Sequence, residues 1–480
     1  MREKLVRHAP WLLAVVATVA LGQRALQAFA AHDVQWAHDL AFFDQIFFNA
    51  SQGREWTSPL LLEPLGFFQM VHFHPVFALL LPLWMLRPEP STLLLFNVAA
   101  VCFSAVPLAG LARDRTGSDW FGLGAAVAFL CWLPVQMAAL ADFRAAAFFI
   151  PGFLLLLRGA AKPNRPTLVA GALLVASARE ESGYLLPFVA LVLLAVPFGR
   201  RRRSDALILL GIGLGWLAFL MAFKGNFFFH FDPVSFLRDL GRGDPVPAQA
   251  TADRLRHLGL LLAGGFGPLL LSPAMLLMLA PQVGFLMLDT HREWHAFTGT
   301  YPYFRHVLLP FMAAGGVMGW AWLVERARPE RRRETVALAI VGMVLANALA
   351  FQHERGRLDV ALRQRHAEMA ASSENRAIDL LIAEVPPEAR VVTDYRLVAH
   401  LANRRVLWVS AHLYNDGGPP AGWPGPWPIT LDFVDRVLVP QDDPVLARLD
   451  DAWEFQDKAG EYVLWRRVRE PEGGFPEAIP

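Results

Sequence analysis

Apolar residues in this chain gather into long blocks separated by short polar stretches, and the blocks stop near residue 352. They fall at roughly 10–30, 73–87, 91–112, 119–140, 144–158, 166–179, 183–198, 204–223, 257–271, 273–289, 303–324 and 334–352. Their length and apolarity predict a polytopic α-helical membrane protein with about 11–13 transmembrane helices. Glycine and proline are frequent inside them, as membrane helices tolerate. The first block is long for a signal-peptide core and lacks a cleavage site, so it reads as an uncleaved first helix.

Beyond 352 the texture changes. Residues 354–384 read as a polar helix. Short apolar runs at Arg390–Asp394, Arg404–Val409, Asp435–Val439 and Tyr462–Trp465 alternate with helical stretches at Arg396–Asn403 and Val445–Trp453. That alternation predicts a small α/β domain. Gly417–Pro428, rich in Pro, Gly and Trp, reads as a loop. The expected division is a transmembrane domain at 1–352, carrying a polar loop at 31–72, and an α/β domain at 353–480.

Basic clusters set the orientation. Arg2, Lys4 and Arg7, then Arg158, Lys162 and Arg165, then Arg200–Arg203, then Arg326, Arg328 and Arg331–Arg333 mark the cytoplasmic side. The N-terminus is therefore expected in the cytoplasm. Loops 31–72, around Asp142–Arg144, around Arg179–Ser182, 224–256 and 290–302 are expected outside, with the tail, on a protein of the cell membrane. Arg113 and Arg115 conflict with this scheme. If 73–87 and 91–112 both cross, these arginines fall outside; either 73–87 is re-entrant or a span is miscounted.

Composition narrows the class. Hydrophobic residues make up 55% of the 480 and charged residues 18%, which fits a membrane protein rather than a soluble one. A net charge of +1 gives no reason to expect nucleic acid. The two cysteines, Cys102 and Cys131, lie inside apolar runs and read as packing residues rather than a disulfide or metal site. Phosphate-loop, dinucleotide, zinc-protease and nucleophile-elbow motifs are absent.

The chemistry concentrates in the polar loop after the first span, which holds Asp33, Asp39, Asp44, Glu55 and Glu63. Carboxylates beside a bilayer are costly unless solvated, paired or functional. Phe42, Phe43, Ile46, Phe47 and Ala50 fall at helical spacing, which predicts an amphipathic helix lying in the interface with its apolar side down. Asp39 would stand at its start, as an N-cap, a catalytic acid, or both. His72 and His74 form an H-x-H pair that suits a metal ion or a polar substrate. Asp142 and Arg144 interrupt an apolar region, as do Arg179, Glu180 and Glu181, and each group reads as internal pairing or as a substrate site. Arg292, His295, Tyr303 and Arg305 lie in a segment dense in polar aromatics, suited to a phosphate or to an interfacial belt.

At these residues the chain resembles the GT-C superfamily of membrane glycosyltransferases. The acid, aromatic helix and later glycine of that superfamily are matched by Asp39 to Gly53. Its His-Pro start of the second span is matched by His74-Pro75, and its later Arg-Glu group, loosely, by Arg179-Glu180-Glu181. Within it, the chain is most similar to a family of predicted bacterial and archaeal membrane proteins. Their Asp-Leu-x-x-Phe-Asp-Gln is matched by Asp39-Leu40 and Phe43-Asp44-Gln45. Their His-Phe-x-Pro is matched by His72 to Pro75. Their Pro-His-Leu-Ser-Asn-Arg is matched by Ala399 to Arg404, with the Pro and Ser replaced. The resemblance implies transfer of a sugar from a polyprenyl-phosphate donor to an envelope acceptor on the outer face. Asp39, with Asp44 and Glu180 behind it, would supply the base. His72, His74, Asp142, Arg144, Arg179, Glu181, Arg292, His295, Tyr303 and Arg305 would bind substrate. A divalent metal ion is compatible with this chemistry but not required. The alternative is a non-catalytic transporter or lipid-handling protein, which predicts repeated halves and ionisable groups near mid-span; neither stands out in the sequence.

Overall fold

The structure, a computed structural model, describes residues 2–34, 37–54, 56–58, 60, 73–162, 164–178, 183, 185–196, 203–224, 255, 258–259, 262, 265–288, 302–354, 356–414 and 431–471. The chain forms two compact units. One comprises Met1–Gly22, Val71–Val76 and Phe96–Asp359; the other comprises Gln23–Met70, Phe77–Leu95 and Val360–Pro480.

The described helices begin with α1 (Arg2–Ala30), α2 (Ala37–Ser51), α3 (Val76–Trp84), α4 (Pro90–Phe103), α5 (Ala105–Thr116), α6 (Asp119–Cys131) and α7 (Leu133–Ala139). They continue with α8 (Phe149–Ala161), α9 (Arg165–Ala178), α10 (Leu185–Ala195), α11 (Arg203–Lys224), α12 (Pro273–Leu288), α13 (Pro302–Arg326) and α14 (Arg332–Glu354). Among the described residues, Lys4–Ala30, Pro90–Thr116, Arg203–Ala222 and Leu308–Arg326 are each long and apolar enough to cross a membrane. α6 and α7 join the set as one span bent by 62°. Shorter apolar helices fill in at Ala145–Ala161, Arg165–Ala178 and Leu185–Ala195.

The conflict over Arg113 and Arg115 resolves at α3. That helix has nine residues, about 13 Å at 1.5 Å per residue. A crossing takes about 20 residues. The block at 73–87 is therefore not a full span, while α4 and α5 run on as one 27-residue span. In the first unit the far end of that span meets the other basic clusters. Asp119 lies 3.4 Å from Arg7 and 3.7 Å from Arg113. Asp114 pairs with Arg158 at 3.0 Å and Lys162 at 3.4 Å. Arg115 pairs with Glu325 at 3.1 Å, and Arg332 donates to the Thr116 carbonyl. Arg113 and Arg115 thus share one end of this unit with the N-terminal and Arg158 clusters.

Small residues bring helices of this unit together. A Cβ at Gly171 of α9 would collide with the Leu156 backbone of α8, and one at Gly159 with Leu168. Close backbone approach through small residues is the usual basis of helix packing in lipid. The end of α7 leaves carbonyls to satisfy, and Asn97 does so. Its Nδ2 donates to the carbonyls of Ala138 and Ala139 at 2.9 and 3.2 Å, and its Oδ1 accepts the Arg144 amide.

The polar stretch after 354 breaks into α15 (Gly356–Ala371) and α16 (Ser373–Ala383), because Ser372 accepts from the Asn375 amide and caps a new start. The tail then builds a five-stranded sheet from β1 (Val391–Thr393), β2 (Leu407–Val409), β3 (Arg436–Pro440), β4 (Trp453–Ala459) and β5 (Tyr462–Arg467), in the order β2-β1-β3-β5-β4. β1 pairs in parallel with both β2 and β3; β5 runs antiparallel to β3 and β4. Val392, Trp408, Val437, Val439, Val445 and Trp453 form its core. Three of the four strands expected as apolar runs here are the parallel ones. β4 was not expected as a strand, because between Trp453 and Ala459 all five residues are exposed. The expected loop Gly417–Pro428 lies outside the described residues.

Candidate functional site

The second unit gathers the polar loop and the tail around α2. Asp39 is the third residue of this helix, so it stands in the first turn rather than at the cap. A carboxylate there meets the positive end of the helix dipole. Its side chain is 32% exposed, and His38 Nδ1 approaches its Oδ1 at 3.5 Å. The His38 ring in turn meets the ring of Tyr395 edge-on, with centroids 5.5 Å apart. Burial, and then the charge of Asp39, push the Tyr395 phenol above its ordinary range.

The helix ends where the glycine spacing places its end. Gly53 has φ +69°, its amide bonds to the Ala50 carbonyl, and the Arg54 amide reaches back to Asn49. This is the left-handed termination that glycine supplies without strain. The interfacial reading of α2 needs correction. Phe43 and Phe47 pack on Phe77, and Phe47 also on Trp84, so its apolar face meets protein. Asp44, Gln45 and Asn49 are buried too, which an interfacial helix would not permit.

Asp44 is fully buried. Its Oδ1 accepts the Trp84 indole N–H at 2.8 Å, and its Oδ2 has no hydrogen-bond partner among the described residues. Burial pushes its carboxyl up to about 8, so it is largely protonated at neutral pH. Gln45 clasps the tail. Its Oε1 accepts the amides of Asn403 and Arg404 at 3.0 and 3.4 Å, and its Nε2 donates to the Arg404 carbonyl. Two of the three motifs that carry the family resemblance, those beginning at Asp39 and Ala399, therefore meet in one interlocking contact.

The remaining motif residues fall into place around that clasp. Asn403 has φ +65°, a conformation Asn tolerates better than most residues, and its side-chain Nδ2 donates to the Pro88 carbonyl at 2.8 Å. The buried Arg404 guanidinium donates to the carbonyls of Leu401, Ala402 and Val385. Its pKa falls to about 10 by burial, which leaves it charged. His400 stacks on Phe29 at 4.1 Å and meets His32 edge-on at 4.2 Å. Burial, followed by the repulsion of His32, lowers His400 to about 3. His32 bonds to Asn375 at 2.8 Å and lies 3.1 Å from Asp379, while Asp33 pairs with His366 at 3.0 Å.

The first unit holds the other described candidates. His74 is buried, with Nδ1 2.8 Å from the Ala178 carbonyl, an arrangement that puts the proton on Nδ1. Asp142 is fully buried and pairs with Arg144 at 3.0 Å, holding a guanidinium that is itself partly exposed. His72, Arg179, Glu180, Glu181, Arg292 and His295 lie outside the described residues. For Tyr303 and Arg305 only the backbone is described, within α13. Among the described residues no group of three or more His, Cys, Asp or Glu side chains is arranged to hold a metal ion. Sequence reasoning passed over His38, Trp84, Asn97 and Tyr395. The signal for Tyr395 was its place in Asp394-Tyr395-Arg396, directly after an apolar run.

Comparison with known proteins adds the family and the fold. A family described as Predicted membrane protein (DUF2079) matches residues 34–225 and 253–423. No curated protein matches the chain. Among solved structures the chain is similar to ArnT from Cupriavidus metallidurans in the apo state. Identity there is 14%, over 94% of this chain and 97% of that one, with a TM-score of 0.52. It is also similar to the same protein bound to undecaprenyl phosphate, at 13% identity over the same shares and a TM-score of 0.47. ArnT is a GT-C glycosyltransferase, and the likeness to its apo form gives this chain a GT-C-like membrane fold with a small C-terminal sheet domain.

Proposed function

Since this chain belongs to the DUF2079 family of predicted membrane proteins, whose description names no reaction, we propose its function from the fold and the α2 site: a membrane glycosyltransferase. The donor is a sugar carried on a polyprenyl phosphate, the lipid class carried over from ArnT, whose fold this chain shares. The acceptor is a hydroxyl-bearing envelope molecule on the outer face of the cell membrane. In this reading residues 1–352 form the membrane domain, the N-terminus is cytoplasmic, and 353–480 lies outside.

The observation that carries the proposal is Asp39. It is a partly exposed carboxylate on the first helix after α1, beside His38 and Tyr395. In the proposed step Asp39 takes the proton of the acceptor hydroxyl as that oxygen attacks C1 of the donor sugar. The bond from C1 to the phosphate oxygen breaks, and its electron pair leaves on the polyprenyl phosphate. The negative charge that develops on the leaving phosphate is stabilised by cations. Arg179, Arg292 and Arg305 are the candidates that the sequence offers for this role. Asp44, buried against Trp84, steadies α2, and Glu180 is kept as a second acid. A divalent metal ion is not required by this scheme.

The test is sugar transfer in proteoliposomes supplied with a panel of undecaprenyl-phosphate sugars. Transfer by the unmodified protein and its loss in Asp39→Asn support the reading. Absence of transfer with every donor would favour a transporter or lipid-handling protein instead.

A further inference from the structure

The loop that carries Tyr395 sits at a special point of the tail sheet. β1 is flanked on both sides by parallel strands, β2 and β3. The chain leaves β1 for β2 on one side, and the later β3 lies on the other. In open α/β sheets, ligands bind outside the carboxyl ends of parallel strands where the strand order reverses in this way. The carboxyl end of β1, at Thr393, runs directly into Asp394-Tyr395-Arg396.

The neighbours of Tyr395 are pinned. Asp394 accepts the Tyr462 hydroxyl at 2.8 Å and the Leu397 amide at 2.9 Å. Arg396 donates to the His32 carbonyl at 3.2 Å and pairs with Glu461 at 3.0 Å. Between these anchors Tyr395 is 51% exposed, with its ring edge on His38 and His38 beside Asp39. An aromatic face rimmed by a phenol, an imidazole and a carboxylate matches a polyhydroxylated ring. Such a ring has an apolar C–H face and polar hydroxyls at its edge. A lipid tail would instead want an apolar rim.

We infer that Tyr395 forms the floor of an acceptor subsite, stacking a sugar ring of the acceptor and presenting one of its hydroxyls to Asp39. This rests on the reading of Asp39 as the base. It makes the tail part of the site rather than an accessory to it.

The experiment uses the full chain in lipid nanodiscs and saturation-transfer NMR with three probes: maltose, lactose and N,N′-diacetylchitobiose. At least one probe is expected to receive saturation on its ring C–H protons. Its affinity should fall about tenfold or more in Tyr395→Ala, and by less in Tyr395→Phe, which keeps the aromatic face and loses only the hydroxyl. Tyr395→Leu, which keeps bulk without the aromatic face, replaces the alanine variant if that one unfolds. Unchanged binding in the variant lacking the ring, or binding by none of the probes, overturns the subsite. The same variants in the transfer assay separate this inference from the one beneath it. Tyr395-dependent sugar binding without any transfer overturns the glycosyltransferase reading and leaves the subsite. Transfer that needs Asp39 but keeps its acceptor KM in Tyr395→Ala overturns the subsite and leaves the enzyme.

Discussion

Asp44 and Gln45 are adjacent on α2, yet burial treats them differently. Gln45 has a partner for both ends of its amide, whereas among the described residues Asp44 is satisfied at one oxygen only. An unfolded aspartate loses its proton near pH 4. In the folded protein Asp44 keeps it up to about pH 8. Across that window the folded state binds the extra proton, so stability falls as pH rises from about 4 to about 8. Asp44→Asn keeps an acceptor for Trp84 and cannot ionise. Its melting temperature should therefore depend less on pH across that window, as scanning fluorimetry at several pH values would read. His400 acts in the opposite sense. An unfolded histidine takes up a proton near pH 6.5, and the folded one only near 3, so stability falls as pH drops between them. His400→Gln should lessen that acid loss. Neither effect is legible in the sequence, where Asp44 reads as one more loop carboxylate and His400 as one motif letter. Both follow from burial, which only the tertiary contacts of α2 and the tail create.

At the scale of elements, α2 is fixed by its end and by its clasp. Gly53 is open to a Cβ on all sides, so Gly53→Ala tests backbone conformation alone. It should cost about 1 kcal/mol, measured as a fall in melting temperature. Gln45→Leu removes the partner of two amides and one carbonyl. Each orphaned group costs about 1–3 kcal/mol if water cannot replace Gln45. The tail should then become sensitive to limited proteolysis while the membrane helices remain. In the first unit, Gly171→Leu should disrupt the α8–α9 packing and lower the yield of folded protein, because the α8 backbone occupies that space. Helix α2 was legible from the spacing of its phenylalanines, and its end from Gly53. Its surroundings were not, since Asp44, Gln45 and Asn49 break the amphipathic pattern for reasons that lie far along the chain. The parallel strands were legible as apolar runs. β4, an exposed edge strand, carries no such run.

For the whole molecule, apolar blocks were enough to read a polytopic membrane protein with a small α/β tail, and the resemblance carried by Asp39 to Gly53 and by His74-Pro75 supplied the GT-C-like reading. They were not enough to place α3, whose apolar residues suit a span while its length does not. The proposed topology has the N-terminus in the cytoplasm and residues 353–480 outside. Reporter fusions after residue 203 and after residue 360 check it: the first should report cytoplasm and the second the outer side, and a cytoplasmic signal at the second would reverse the scheme. The candidate site was legible in part. Asp39 stands out by its place after the first span, and the structure adds His38 and Tyr395 beside it. The measurement that bears most directly on the account is sugar transfer by Asp39→Asn in proteoliposomes, with the melting temperature of the same preparation. A positioned base typically contributes about 10²–10⁴-fold, so transfer should fall by that much while the protein stays folded, because Asp39 lies inside the first turn and is not its cap. A folded Asp39→Asn protein with near-normal transfer would contradict the account.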